Sequence, residues 1–231
     1  MRHSIEMEKL TLGVCYYPEH WDRALWKDDL QRMKQYGIEV IRLAEFSWAL
    51  MEPEEGKYDF SFWDEFLALA AEENMKVVFC TPTATPPAWL SEKYPETLNA
   101  DGDGNLMYHG MRGQHNLTSP KYLEFCEKIT RRMAEHFNKY DCIIGWQLDN
   151  EPAVQFDYNL KAELAFRDFL RAKYNNDIQL LNNAWGTAFW SEAYSSFDEI
   201  TLPKRVQMFM NHHQILDYRR FAASQTNDFR S

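Results

Sequence analysis

Four short apolar runs, separated by stretches of helical periodicity, constrain this chain more than any other feature. Strand patterns alternating with helix patterns imply consecutive βα units and therefore a parallel sheet, because parallel neighbours need a crossover between them. The first run covers about Thr11 to Tyr17. A helix follows from about Asp22, with Trp26, Leu30 and Met33 at i, i+4 and i+7 before Gly37 ends it. The second run, about Ile38 to Ala44, leads through a Glu- and Pro-containing loop to Ser61-Phe-Trp-Asp64. That is a capping-box pattern and predicts a helix to about Asn74. The third run is about Lys76 to Thr81; the fourth, Ile143 to Asp149, follows a helix that opens at Ser119-Pro120 and reaches about Asn138.

The stretch from Pro82 to Thr118 has no such pattern and is too long for an idle connection, which marks it as functional. Beyond the fourth run, Ala162, Ala165, Phe166 and Phe169 predict a helix over Leu160 to Tyr174, and Gln207 to Phe229 reads as one last helix. No internal repeat or compositional break marks a second domain. Four βα units are half of a (β/α)8 TIM barrel, a fold that usually takes about 250 residues. This chain uses 231 residues for them. The fold class expected is therefore α/β, with the first four or so units of the barrel in one domain over 1–231, incomplete at its C-terminus.

The chain carries 25 basic and 35 acidic residues, a net charge of -10, which argues against nucleic acid or an anionic membrane as partner. A neutral ligand fits better. Eight Trp, twelve Tyr and fifteen Phe supply flat faces that suit sugar rings as well as core packing. The start, Met1 to Lys9, is charged and has no apolar segment of a secretory signal, and no run approaches a membrane span. Cys15, Cys80, Cys126 and Cys142 form no CxxC pair, so they are expected to be buried thiols of a cytoplasmic protein.

Glu151 closes the fourth run in Gln147-Leu-Asp-Asn-Glu-Pro152. Apolar Ile143, Ile144, Trp146 and Leu148 predict a buried strand, and Pro152 removes a backbone donor, so pairing should stop near Glu151. In a parallel barrel that places its carboxylate at the C-terminal mouth, where catalytic groups collect. Glycoside hydrolysis needs two carboxyl groups, of which Glu151 is one candidate; Asn150 offers an amide to a sugar hydroxyl, and Arg112 in the long loop offers a donor fork.

Taken together, these residues resemble glycoside hydrolase family 42, retaining β-galactosidases with (β/α)8 barrels. The resemblance rests on Gly13-Val-Cys-Tyr-Tyr-Pro-Glu-His-Trp21, Ile41-Arg-Leu-Ala-Glu-Phe-Ser-Trp48, Met51-Glu-Pro-Glu-Glu-Gly56 and Thr83-Ala-Thr-Pro-Pro-Ala-Trp-Leu90. It continues through Arg112, Gln147 to Pro152, and Asn183-Ala-Trp-Gly-Thr-Ala-Phe-Trp-Ser191. It implies that Glu151 is the acid/base and that Asn150 and Arg112 bind the sugar. It also implies a substrate-platform tryptophan at Trp190, with Trp185 close enough to compete for the role. To act as an acid, Glu151 should be buried and near a second negative charge. The resemblance further suggests a homotrimer and no cofactor.

Two departures from the family pattern are expected to matter. Many members carry a four-cysteine zinc site, with one cysteine shortly after the loop arginine and three after the acid/base. Residues 113–120 and 152–174 here contain no cysteine, so no metal is expected. The family's nucleophile is a second glutamate on a late strand, which this chain ends too early to contain. Glu19, Glu45 and Glu52 follow the first two strands, and Glu45 is expected to pair with Arg42 or another base. His109, His115, His212 and His213 lack metal-ligand spacing, and Asp101-Gly-Asp-Gly-Asn105 reads as a surface turn instead of a calcium loop. The alternatives are a non-catalytic sugar-binding or assembly module, and a related β-glucosidase or mannanase.

Overall fold

The structure is a computed structural model that describes residues 10–152 and 156–230. The charged run Met1 to Lys9 lies outside the described residues. The chain groups into two compact units, Met1–Pro87 with Cys126–Asn150 and Ala88–Phe125 with Glu151–Ser231.

The first unit holds a four-stranded sheet in the order β1 (Leu12–Cys15), β2 (Ile38–Leu43), β3 (Lys76–Cys80) and β4 (Ile143–Gln147). Every neighbouring pair is parallel. This unit also contains α1 (Arg23–Gln35), the short α2 (Trp48–Met51) and α3 (Ser61–Glu72); of the later crossover, α4 (Ala88–Lys93) falls in the second unit, and α5 (Pro120–Phe137) belongs to the first from Cys126 onward. Asp22 caps α1 by accepting from Ala24 N. The start of α3 corrects the capping-box expectation. Ser61 is its first helical residue, as the pattern predicts, but Phe60 holds the N-cap position with no side-chain cap, and the carboxylate of Asp59 accepts from Ser61 N, so the Ser-x-x-Asp pattern marks the helix start without forming a capping box.

Aromatic side chains fill the core of this unit. Trp26 meets Phe66 edge-on at 5.3 Å, Trp63 meets Phe79 at 5.5 Å, and Phe79 meets Phe137 at 4.8 Å. Such pairs add about 0.5–1.5 kcal/mol each beyond their buried area. β2 and β3 sit centrally and bury Ile41, Leu43, Val77 and Phe79. The outer strands differ from expectation. Trp146 on β4 is 39% exposed and Leu148, just past it, 55%, so β4 is not the fully buried strand its apolar residues predict; among the described residues β3 is the one strand that flanks it. Cys15 is exposed on the other outer strand, β1, so the four free cysteines are not uniformly buried.

The second unit contains α6 (Leu160–Lys173), α7 (Ile178–Trp185) and α8 (His212–Arg230). Phe166, Leu170, Leu181, Trp185, Tyr218 and Phe221 form its apolar cluster. The predicted last helix starts five residues later than expected. The side-chain oxygen of Asn211 accepts from the backbone of His213 and Gln214 and caps α8, leaving Met208 and Phe209 exposed before it. In the long loop, antiparallel bridges Leu98 to His115 and Ala100 to Leu106 tie its two limbs together. Asp101 accepts from Asp103 N, Asn105 N and Asn105 Nδ2, which closes the Asp-Gly-Asp-Gly-Asn segment as a turn.

Two buried groups in this unit titrate in opposite senses. Burial pushes the Asp157 carboxyl up to about 6, against hydrogen bonds from Ala100 N and Asn159 N, and burial pushes His115 down to about 4. As pH falls from about 6 to about 4, folded Asp157 takes up a proton before the unfolded chain does, which adds stability. Over the same window the unfolded chain protonates its histidine while folded His115 stays neutral, which removes stability. The two contributions largely cancel. Asp157→Asn is therefore expected to expose the histidine's slope. Urea unfolding between pH 4 and 6.5 should show the variant losing stability with acid faster than the parent, and parallel pH profiles would refute the assignment.

Candidate functional site at the strand ends and in the long loop

In the first unit a polar network gathers at the C-terminal ends of the strands. Backbone strain marks the place: Ala44, just past β2, has φ 82, and Asp149, just past β4, has φ 56. Left-handed backbone at residues other than glycine costs roughly 1–3 kcal/mol and concentrates at functional sites. Arg42 is the centre of the network. Its Nη2 donates to Glu45 Oε1 at 2.6 Å, and its Nη1 donates to Gln147 Oε1 at 2.9 Å and Asn150 Oδ1 at 3.2 Å. Tyr17 Oη also donates to Glu45 Oε1, at 2.8 Å. Gln147 Nε2 donates to Asp149 O, while Thr81 Oγ1 and Thr83 Oγ1 hold Asp149 through its N–H and its carboxylate.

The surroundings are electrostatically tight. Glu45 is completely buried and Glu19 partly so, and each has one carboxylate oxygen, Oε2, with no hydrogen-bond partner among the described residues. Burial raises the Glu19 carboxyl above the usual glutamate range, although Ser47 Oγ donates to it at 3.1 Å. Burial, followed by the bond to Glu45, pushes Tyr17 up to about 12, and burial followed by the nearby Glu45 charge does the same for Cys80. Both stay protonated at neutral pH. Glu52 has a structural task instead, accepting from Trp48 Nε1 and Gly56 N.

In the second unit the long loop carries Arg112, whose Nη2 lies 2.8 Å from Glu151 Oε2. Glu151 has φ 46 and its side chain is 72% exposed, so the burial expected of a proton donor is not met among the described residues. The two candidate tryptophans separate clearly. Trp185 is buried and donates its indole N–H to Asp217, which commits it to the core. Trp190, at φ 61, is 75% exposed; both tryptophans line a cavity of about 500 Å³ with Glu192, Phe209, Met210 and Asn211, Trp190 from its exposed side and Trp185 from the core. Among the described residues, no three His, Cys, Asp or Glu side chains gather where they could hold a metal ion.

Of the residues singled out in the sequence, Asn150 belongs to the strand-end network, Arg112 and Glu151 form an ion pair, and Trp190 lines a cavity that Trp185 also borders. Tyr17, Gln147, Asp149 and the donor role of Arg42 toward Asn150 were not anticipated. Their signal was polar side chains at the ends of otherwise apolar strands.

The family model described as beta-galactosidase, glycoside hydrolase family 42, matches residues 15–231. The chain belongs to glycoside hydrolase family 42. Beta-galactosidase BgaA of a Thermus species is 44% identical over 221 residues, covering 94% of this chain and 34% of that protein. The crystal structure of beta-galactosidase from the psychrophilic Marinomonas ef1 superposes with a TM-score of 0.90 at 38% identity, over 95% of this chain and 34% of that one. The beta-galactosidase of the Antarctic haloarchaeon Halorubrum lacusprofundi gives the same TM-score at 39% identity, covering 95% of this chain and 33% of that one. A beta-amylase catalytic domain from Paenibacillus polymyxa, 19% identical with a TM-score of 0.68, shares the fold alone. This chain thus spans about a third of the length of its family 42 relatives. Its four parallel βα units are those of a partial (β/α)8 barrel. No helix among the described residues is long and apolar enough to cross a membrane.

Proposed function

We propose that this chain is the N-terminal portion of the catalytic barrel of a retaining β-galactosidase that removes terminal β-D-galactosyl residues by double displacement. Glu151 protonates the glycosidic oxygen as the aglycone leaves, and its carboxylate then takes a proton from the water that attacks the galactosyl intermediate. Arg112 and Asn150 hold galactose hydroxyls, and Trp190 offers an aromatic face to the substrate. The carboxylate that attacks the anomeric carbon comes from outside residues 1–231. The ion pair between Arg112 and Glu151 carries the reading within this chain, because it brings a strand-end carboxylate and a loop donor fork together at 2.8 Å.

The full-length protein, tested on a panel of nitrophenyl glycosides, is expected to prefer the β-galactoside and to release β-galactose first, as seen by proton NMR of the anomeric signal. Preference for the β-glucoside, or release of the α-anomer, would overturn the assignment. The 231-residue chain, purified free of host enzyme, is expected to show no turnover. Clear turnover would sink the claim that its nucleophile lies elsewhere.

A further inference from the structure

Arginine has only donors, so the atoms that its Nη1 touches on Gln147 and Asn150 must be the amide oxygens. The orientation of the Asn150 amide follows from this contact. With Oδ1 held at 3.2 Å by Arg42, Nδ2 is the arm left for a ligand. The guanidinium is itself fixed, because its other arm lies 2.6 Å from Glu45 Oε1, and Tyr17 donates to that same oxygen. Glu45 is fully buried, while the Arg42 side chain keeps 27% of its surface, so the pair is screened less than one between two exposed side chains.

We propose that Glu45 and Arg42 are positioning residues for Asn150: Glu45 clamps the guanidinium, the guanidinium clamps the amide oxygen, and the amide nitrogen is thereby presented as a donor to the sugar. This rests on the galactosidase reading above. The fork geometry is essential to it. A lysine is a point charge on a flexible stem and cannot span Glu45, Gln147 and Asn150 at once. The interaction matters in the transition state, because hydrogen bonds to the sugar 2-hydroxyl strengthen as oxocarbenium character develops.

The test is a double-mutant cycle in the full-length protein, using Arg42→Lys, Asn150→Ala and the pair, with an aryl β-galactoside and its 2-deoxy analogue. Arg42→Lys is expected to lower kcat/KM by roughly 30-fold on the galactoside, but by less than about 3-fold once Asn150 is alanine or the 2-hydroxyl is absent. A penalty of the same size in all three cases would overturn the proposal. Glu45→Gln keeps the shape of the side chain and provides the same cycle if the lysine variant fails to fold; it should show a smaller loss with the same dependence on Asn150. Complete absence of β-galactosidase activity in the parent would overturn the functional reading instead. The positioning role would then be decided by a crystal structure of Glu45→Gln, where a rotated Asn150 amide supports it and an unchanged one refutes it.

Discussion

Glu151→Gln in the full-length protein is expected to lower turnover of an unactivated β-galactoside by about 10²–10⁴-fold, the range that a positioned general acid contributes. The loss should depend on the leaving group. A nitrophenolate departs without protonation, so with a nitrophenyl galactoside the first step survives and hydrolysis of the intermediate becomes limiting. In that case kcat and KM fall together, because the covalent intermediate accumulates. Stability should barely change: the ion pair with Arg112 is exposed on both sides, and such pairs contribute roughly 0–1 kcal/mol. Steady-state kinetics on both substrates decide the matter. A loss below about tenfold on each would remove Glu151 from the acid/base role.

Asp217→Ala should have the largest effect on stability, about 2–4 kcal/mol, because it leaves the Tyr174 hydroxyl and the buried Trp185 indole without their acceptor, whereas Lys173 and Arg220 are open enough to turn to water. Asp217 is buried in α8 and accepts from Lys173, from Tyr174 Oη at 2.6 Å, from Trp185 Nε1 at 3.0 Å and from Arg220 at 2.9 Å. It therefore joins the ends of α6 and α7 to α8. Burial alone would raise its carboxyl, but the bonds from Lys173, Tyr174, Trp185 and Arg220 bring it below the usual aspartate range. A folded-state value below the unfolded one means that the stabilisation is complete above the unfolded value of about 4 and is lost as pH falls through the folded value. Asp217→Asn is expected to cost less than the alanine variant, since one side-chain oxygen still accepts. Its deficit relative to the parent should shrink below about pH 4. Urea denaturation at pH 7 and pH 3 checks both statements, and a deficit independent of pH would show that the charge is not what matters.

How much of this was legible beforehand depended on whether the cause was local. Strands β1 to β4 fall within a residue or two of their predicted limits, because short apolar runs closed by turn residues leave few other options. The start of α3 at Ser61 is legible because Ser61 and Asp64 carry a helix-start signature, but the capping contact is not: Phe60 holds the N-cap position with no side-chain cap, and Asp59 accepts from Ser61 N instead. The start of α8 was misplaced, because Asn211 supplies the cap and the apolar run before it stays outside the helix. Trp185 and Trp190 are equivalent as letters. The indole bond to Asp217, 32 residues further on, separates them.

The sequence by itself determined the alternation of strands and helices, the parallel sheet they build, and the placing of Glu151 just past the last strand, since periodicity, turn residues and proline act over a few positions. The tertiary structure alone decided that Trp146 on β4 is exposed, that Trp185 belongs to the core, and that Arg42 reaches across 105 and 108 positions to hold Gln147 and Asn150. Those outcomes depend on which side chains meet in space. A guanidinium finds its carboxylate and amide partners only after the strands that carry them have been set side by side.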